Sequence, residues 1–207
     1  MSAVDAPGGA ERIAAQKTAL RDQLLTARRR RSLLELRLDA EALARRLLAA
    51  PEVRRAATVA AYVSVGSEPG TGPLLDALHA AGRRVDLPVL LPDGDLDWAA
   101  WSGRSTELHP GPRGLLEPAG RRLGPDSIGT ADVVLVPGLA VDRTGMRMGR
   151  GGGSYDRALG RVPVGTFVCV LLGAGEVVDR VPADAHDRPV TAAATPDGII
   201  RFGRAPA

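Results

Sequence analysis

Residues 146 to 159 read MRMGRGGGSYDRAL, four glycines and three arginines beside a Tyr-Asp pair, and they closely follow the apolar run VVLVPGLAV. Gly149, Gly151, Gly152 and Gly153 leave backbone N–H groups unshielded by Cβ atoms, and a helix starting just after them adds its positive end. Arg147 and Arg150 flank the glycines. Together these groups suit an anion, a phosphate in particular, with a flexible turn as the plain alternative. The stretch is not a Walker loop, because no G-K-[ST] closes it, and GRGGGS lacks the last glycine of the dinucleotide fingerprint. Asp156 supplies a carboxylate able to hold Mg²⁺ against polyphosphate oxygens. Tyr155 could stack on a flat ring, bond a phosphate oxygen, or simply fill the core.

A second set of cations precedes these by more than a hundred residues. Lys17, Arg21 and Arg28 are separated by four and then seven residues, which at about 100° per residue puts all three on one helix face. They form either a cationic ridge or an ordinary solvated surface. Lys17 is the only lysine among 27 basic residues. In a chain that uses Arg wherever Arg will serve, a surviving lysine points to a site that wants a compact ammonium. His79, His109 and His186 show no metal-ligand spacing and read as structural or surface residues.

The elements that must position these residues alternate. After ten residues expected to be disordered, apolar residues from Ile13 to Leu38 recur at helical spacing, and Asp39 is a plausible N-cap for a second helix that Pro51 ends. TVAAYVSV (58–65) reads as a strand and PLLDALHAAG (73–82) as a helix, with Pro near its start and Gly past its end. VDLPVL, LDWAAW, ADVVLVPG, TFVCVLL, TAAAT and GIIRF complete the strands, with a short helix SYDRALGR after the glycines and loops at LPDGDL and HPGPRG. The fold class is α/β: a mixed, largely parallel sheet flanked by helices, as one domain over residues 11–207. In such a sheet ligands sit outside the carboxyl ends of the strands, where the glycine stretch lies.

Composition sets outer limits. The chain has 207 residues, 44% of them hydrophobic and 25% charged, with a formal net charge of +3. That suits one sizeable core and an anionic partner. The single cysteine, Cys169, lies in an apolar run, so no intramolecular disulfide forms and the thiol is expected to be buried and inert. The first sixteen residues show neither a basic n-region nor an apolar h-region, and no run of about 18 apolar residues occurs, so the expected location is cytoplasmic and no membrane partner is expected.

DVVLVPGLAVDRTGMRMGRGGGSYDR strongly resembles the signature of the 5-formyltetrahydrofolate cyclo-ligase family. The likeness extends to KTALRDQLLTARR near the start, AAYVSVGSEPGT, GLLEP and DAHDRPVTAAATPDG near the end. The resemblance implies an isomerase/CoA-transferase-like sheet fold, ATP and Mg²⁺ as requirements, and a reduced folate as substrate, with polyglutamylated forms left open. A monomer without a nucleic-acid partner is expected. Carried onto this chain, Lys17, Arg21, Arg147, Met148, Gly149, Arg150, Gly151, Gly152, Gly153, Ser154, Tyr155 and Asp156 would bind ATP, with catalytic roles for Arg150 and Tyr155. Asp156 and Asp187 would serve the metal. Glu68 matches the folate-binding acid, with Val63, Trp101 and Glu117 beside it, and is expected on the sheet side away from the glycines. Ser154 departs from the family pattern, which has a tyrosine there, and Thr191 departs where many members carry Asp.

The implied reaction closes 5-formyltetrahydrofolate to the 5,10-methenyl form while ATP becomes ADP and phosphate. It needs alignment and neutralised charge rather than a Ser-His-Asp triad. Two other readings compete. One is a non-catalytic binder of nucleotide, folate or RNA using ARRRRS, although an aromatic content of 3% leaves no stacking platform. The other is an ATP-dependent enzyme with a different substrate, against which Glu68 counts.

Overall fold

A computed structural model of the chain describes residues 8–104, 107–184 and 186–203. The helices are α1 (Gly9–Arg29), α2 (Leu33–Ala49), α3 (Pro51–Arg55), α4 (Gly72–Ala80) and α5 (Ser154–Leu159). The strands of the main sheet are β1 (Thr58–Ala60), β2 (Arg84–Leu90), β3 (Leu96–Ala100), β6 (Val133–Pro137), β9 (Phe167–Leu171), β11 (Ala192–Thr195) and β12 (Gly198–Arg201). Two smaller sheets use β4 (Leu108–Pro110) with β5 (Leu116–Pro118), and β7 (Ala140–Asp142) with β8 (Arg147–Met148) and β10 (Val177–Val178).

The main sheet runs β12-β11-β9-β6-β1-β2-β3. Its five central strands are parallel, and the antiparallel pairs β11–β12 and β2–β3 close its two edges. Successive residues of β6 explain why it reads as an unbroken apolar run. Val133 and Leu135 pack among Leu43, Leu47 and Leu74 on one face, while Val134 and Val136 pack among Trp98, Ile128 and Ala158 on the other. A strand covered on both faces has no polar side to show.

Four expectations need correction. The leucine spacing from 13 to 38 spans two helices, because the chain turns at Arg30–Ser32. Ser32 caps α2 by accepting the Glu35 N–H while Glu35 reaches back to the Ser32 N–H. Asp39 is therefore inside α2, where it pairs with Arg31 at 2.6 Å. The β1 ladder ends at Ala60, and Ala61 to Val65 continue as the loop leading to Glu68. At the N-terminus, Gly9 and Ala10 already belong to α1, and residues 1–7 lie outside the described residues. Among the described residues no helix is long and apolar enough to cross a membrane.

Candidate active site

A cleft of about 650 Å³ opens beyond the carboxyl ends of β2 and β6. Pro137 and Gly138 form its floor at the end of β6, and Leu90 and Leu96 line it from the β2–β3 pair. Its walls come from α1, the β8–α5 loop, Arg113 and Leu115 near the tip of the β4–β5 hairpin, and the 182–187 segment. Lys17, Arg21, Glu68, Asp187 and every residue from Arg147 to Asp156 line it. The local anion motif and the distant helix cations are thus brought together.

The glycine loop is shaped by backbone that side chains would oppose. Gly151 has φ +99° and Gly153 +70°, both in the left-handed region that glycine tolerates best. The backbone N–H groups of Arg150, Gly151, Gly152 and Gly153 donate to no acceptor among the described residues. Four unspent donors beside a polar cleft are suited to phosphate oxygens. Two arginines hold the loop in place. Arg147, buried in β8, donates from Nη1 to Pro137 O at 3.2 Å and from Nη2 to Asp156 Oδ1 at 2.9 Å. Arg157 donates from Nη2 to Gly94 O at 2.5 Å and to Gly152 O at 3.4 Å, joining the loop to the β2–β3 turn.

Tyr155 packs against the core with the Arg147 guanidinium 6.0 Å from its ring centre. Burial and then the negative charge of Glu68 push its hydroxyl pKa up, with Arg147 opposing. The group stays protonated near neutral pH, which suits a hydrogen-bond donor and not a base.

From α1, Lys17 Nζ meets Asp184 Oδ2 at 2.7 Å and Asp187 Oδ2 at 2.6 Å. Burial lowers its pKa, but the hydrogen bonds to the two carboxylates outweigh that and leave it raised. Arg21 donates to Gly149 O at 3.3 Å, and a Cβ on Gly151 would stand 3.3 Å from its guanidinium. Arg28 shares the face of Lys17 and Arg21 but has a different task. It is buried, binds both Glu176 oxygens at 2.6 Å and donates to Gly138 O at 2.7 Å. The proposed ridge is therefore two cleft cations followed by a structural anchor.

Glu68 is not on a side of the sheet away from the glycines. Its Oε1 lies 3.3 Å from Arg150 Nε, while Oε2 accepts the Val65 N–H at 2.9 Å. Its three expected companions do not join it in the cleft. Val63 is half-buried against the core under α2 and α4. Trp101 is buried in that core, donating its indole N–H to Arg104 O at 3.2 Å with its ring tilted against His79. Glu117 spends Oε1 on the Leu90 N–H at 2.9 Å, fastening β5 to the end of β2.

The carboxylates available to a hard cation are Asp156, Asp187 and one residue not singled out in the sequence, Asp184. Asp156 uses Oδ1 for Arg147 and for the Arg188 N–H at 3.3 Å, while Asp187 uses Oδ2 for Lys17 and for the Asp184 N–H at 2.7 Å. Asp156, Asp184 and Asp187 each keep a second oxygen, and oxygen donors of this kind fit Mg²⁺. Burial raises the Asp187 pKa, but the Asp184 N–H and the Lys17 ammonium outweigh it and hold the carboxyl below its ordinary range. His186, exposed, stands with Asp184 and Asp187 in a group whose ligand atoms lie within 4.8 Å of one another. It is a surface residue that also lines the cleft. Asp184, Arg157 and Glu176 were missed because each works through a distant partner that no local pattern announces, and Arg113 because its place at the cleft depends on how the β4–β5 hairpin packs.

The model of the 5-formyltetrahydrofolate cyclo-ligase family matches residues 13–196. The 5-formyltetrahydrofolate cyclo-ligase of Mycolicibacterium smegmatis is 44% identical over 149 residues, covering 69% of this chain and 76% of that protein. The enzyme of the same name from Escherichia coli K12 is 34% identical over 165 residues, covering 75% and 87%. The solved structure of Aquifex aeolicus 5,10-methenyltetrahydrofolate synthetase superposes with a TM-score of 0.76 at 29% identity, covering 92% of this chain and 96% of that one. On these matches, over most of its length, the chain belongs to the 5-formyltetrahydrofolate cyclo-ligase family.

Proposed function

We propose that the cleft performs its family's ATP-dependent closure of 5-formyltetrahydrofolate to 5,10-methenyltetrahydrofolate through a phosphorylated formyl group. The observation that carries this reading is the row of unspent N–H groups in the glycine loop, gathered with Lys17, Arg21, Arg147 and Arg150 around one cleft. Met148 and Ser154 border the same loop and complete the ATP-binding surface.

The N5-formyl group is an amide, and its oxygen leaves poorly. In the proposed sequence that oxygen attacks the γ-phosphorus, the bond to the β–γ bridging oxygen breaks, and ADP departs. N10 then donates its lone pair to the formyl carbon and gives up its proton. The C–O bond breaks, and inorganic phosphate leaves with the oxygen. Both nucleophiles belong to the substrate, so the protein's work is alignment, charge neutralisation and exclusion of water. Arg150 and Tyr155 are assigned to the reacting groups, Arg150 as a half-exposed cation and Tyr155 as a neutral donor. Mg²⁺ would neutralise polyphosphate charge, held by Asp156 with Asp187 and Asp184 as the other oxygen donors. Glu68 is assigned to the amino-pyrimidine edge of the pterin, where a carboxylate accepts two donors.

Incubation with 5-formyltetrahydrofolate, ATP and Mg²⁺ should produce the methenyl chromophore together with one phosphate per product. ATP hydrolysis without that chromophore would point to another substrate for the same phosphate site.

A further inference from the structure

The cations around the cleft differ in what they already hold. Lys17 is bonded to two carboxylates, Arg21 to Gly149 O, Arg147 to Pro137 O and Asp156, Arg150 to Glu68, and Arg157 to Gly94 O and Gly152 O. Arg113 also lines the cleft, and it has no ion pair or hydrogen-bonded side-chain partner among the described residues. Its guanidinium lies against the glycine loop: a Cβ on Gly152 would stand 3.2 Å from Arg113 Nη1.

The backbone around it is shaped by several fixed points. Arg113 has φ +57°, and it is the only non-glycine residue in the left-handed region among the described residues. It sits at the tip of the β4–β5 hairpin, which is closed by the Gly111 N–H donating to Leu115 O at 2.8 Å. The foot of the hairpin is fixed by Glu117 on the Leu90 N–H. Gly111 lets the backbone pass close to that carboxylate, since a Cβ there would fall 2.5 Å from Glu117 Cδ.

We propose that Arg113 is a catalytic residue that contacts the terminal phosphoryl group of ATP as it is transferred, a role that rests on reading the cleft as the ATP site. An anion seated on the free N–H groups beside Gly152 would meet this guanidinium without any ion pair having to break first. As the phosphoryl group loosens from ADP, charge spreads over its outer oxygens, and a cation already in place stabilises that state more than the ground state.

The test uses Arg113→Gly, which removes the guanidinium while suiting φ +57°, with Arg113→Lys as the conservative variant. Steady-state kinetics should show Arg113→Gly lowering kcat on the order of 10²-fold, with KM for 5-formyltetrahydrofolate nearly unchanged and Arg113→Lys recovering part of the loss. Calorimetry should show ADP binding equally to wild type and Arg113→Gly, while the preference for ATP over ADP shrinks in the variant. Unchanged kcat and unchanged ATP preference would overturn the proposal. So would a loss confined to KM for the folate, which would assign Arg113 to a substrate carboxylate. If the wild-type chain makes no methenyl product, the folate reading fails, and the ATP-against-ADP comparison still decides the role of Arg113.

Discussion

Lys17 Nζ touches one oxygen of Asp184 and one of Asp187, at 2.7 and 2.6 Å. An ammonium can serve two carboxylates and a phosphate from a single point, whereas a guanidinium is a wide planar fork. Lys17→Arg is therefore expected to lose kcat/KM for ATP nearly as severely as Lys17→Ala. Because it is the only lysine, amine-directed acylation can report its protection by MgATP; equal labelling with and without MgATP, plus a normally active Arg variant, would remove it from the phosphate site. Glu68→Gln is expected to weaken folate binding by about 1.5–3 kcal/mol, the worth of a charge-assisted hydrogen bond. It also releases Arg150, which is half exposed, so ATP should bind slightly more tightly, by no more than about 1 kcal/mol. Separate titrations of each ligand check this, and parallel loss of both would indicate damage to the fold. The residues of the glycine loop were legible because they lie side by side. The Glu68–Arg150 pair was not, since 82 positions separate its members in sequence.

At the scale of elements, α1 is fastened to the cleft floor by one buried group. Arg28 binds Glu176 and Gly138 O, Glu176 Oε2 also accepts the Gly173 N–H at 2.7 Å, and Arg28 Nη1 has no hydrogen-bond partner among the described residues. Breaking such a pair strands a buried charge, so Arg28→Met alone should cost about 3–5 kcal/mol of stability. Replacing Arg28 and Glu176 together by methionine should restore most of it, as measured by urea unfolding in a double-mutant cycle. Equal loss in the single and double variants would show that the Gly138 and Gly173 bonds carry the anchor. The sheet was legible because strands covered on both faces must be apolar throughout. The break between α1 and α2 was obscured by leucines continuing across it, although Ser32 and Glu35 carry the capping spacing in plain view. The β4–β5 hairpin read only as a loop, since each strand has three residues and its place over the cleft depends on Glu117 reaching Leu90.

Across the whole molecule, carboxylates tie distant segments together, and this sets how stability responds to acid. Asp95 pairs with Arg161, Glu52 with Arg201, Asp187 with Lys17, and Asp142 gathers N–H groups, and all four have pKa values below their ordinary range. A carboxyl lowered by folding binds fewer protons in the native than in the unfolded state between its two pKa values. Its stabilisation is complete above the unfolded pKa and is lost as pH falls through the folded one. Lys17, raised by folding, keeps its contribution until pH climbs well past neutral, so the protein should be most stable over a broad neutral range. Asp142 is the sharpest test because it is buried and joins three places. Burial pushes its carboxyl up, but the Thr144 hydroxyl at 2.6 Å and the N–H groups of Val181 at 3.0 Å, Thr144 at 2.8 Å and Met146 at 3.2 Å bring it down. Asp142→Asn keeps the shape but turns one oxygen into a donor facing donors. It should cost about 1.5–3 kcal/mol near neutral pH. In acid the gap should narrow, because the wild-type group takes up its proton and gives up the same stabilisation. Urea unfolding at a series of pH values should therefore give curves that converge as pH falls, whereas parallel curves would mean that the Asp142 charge adds nothing to what the amide keeps.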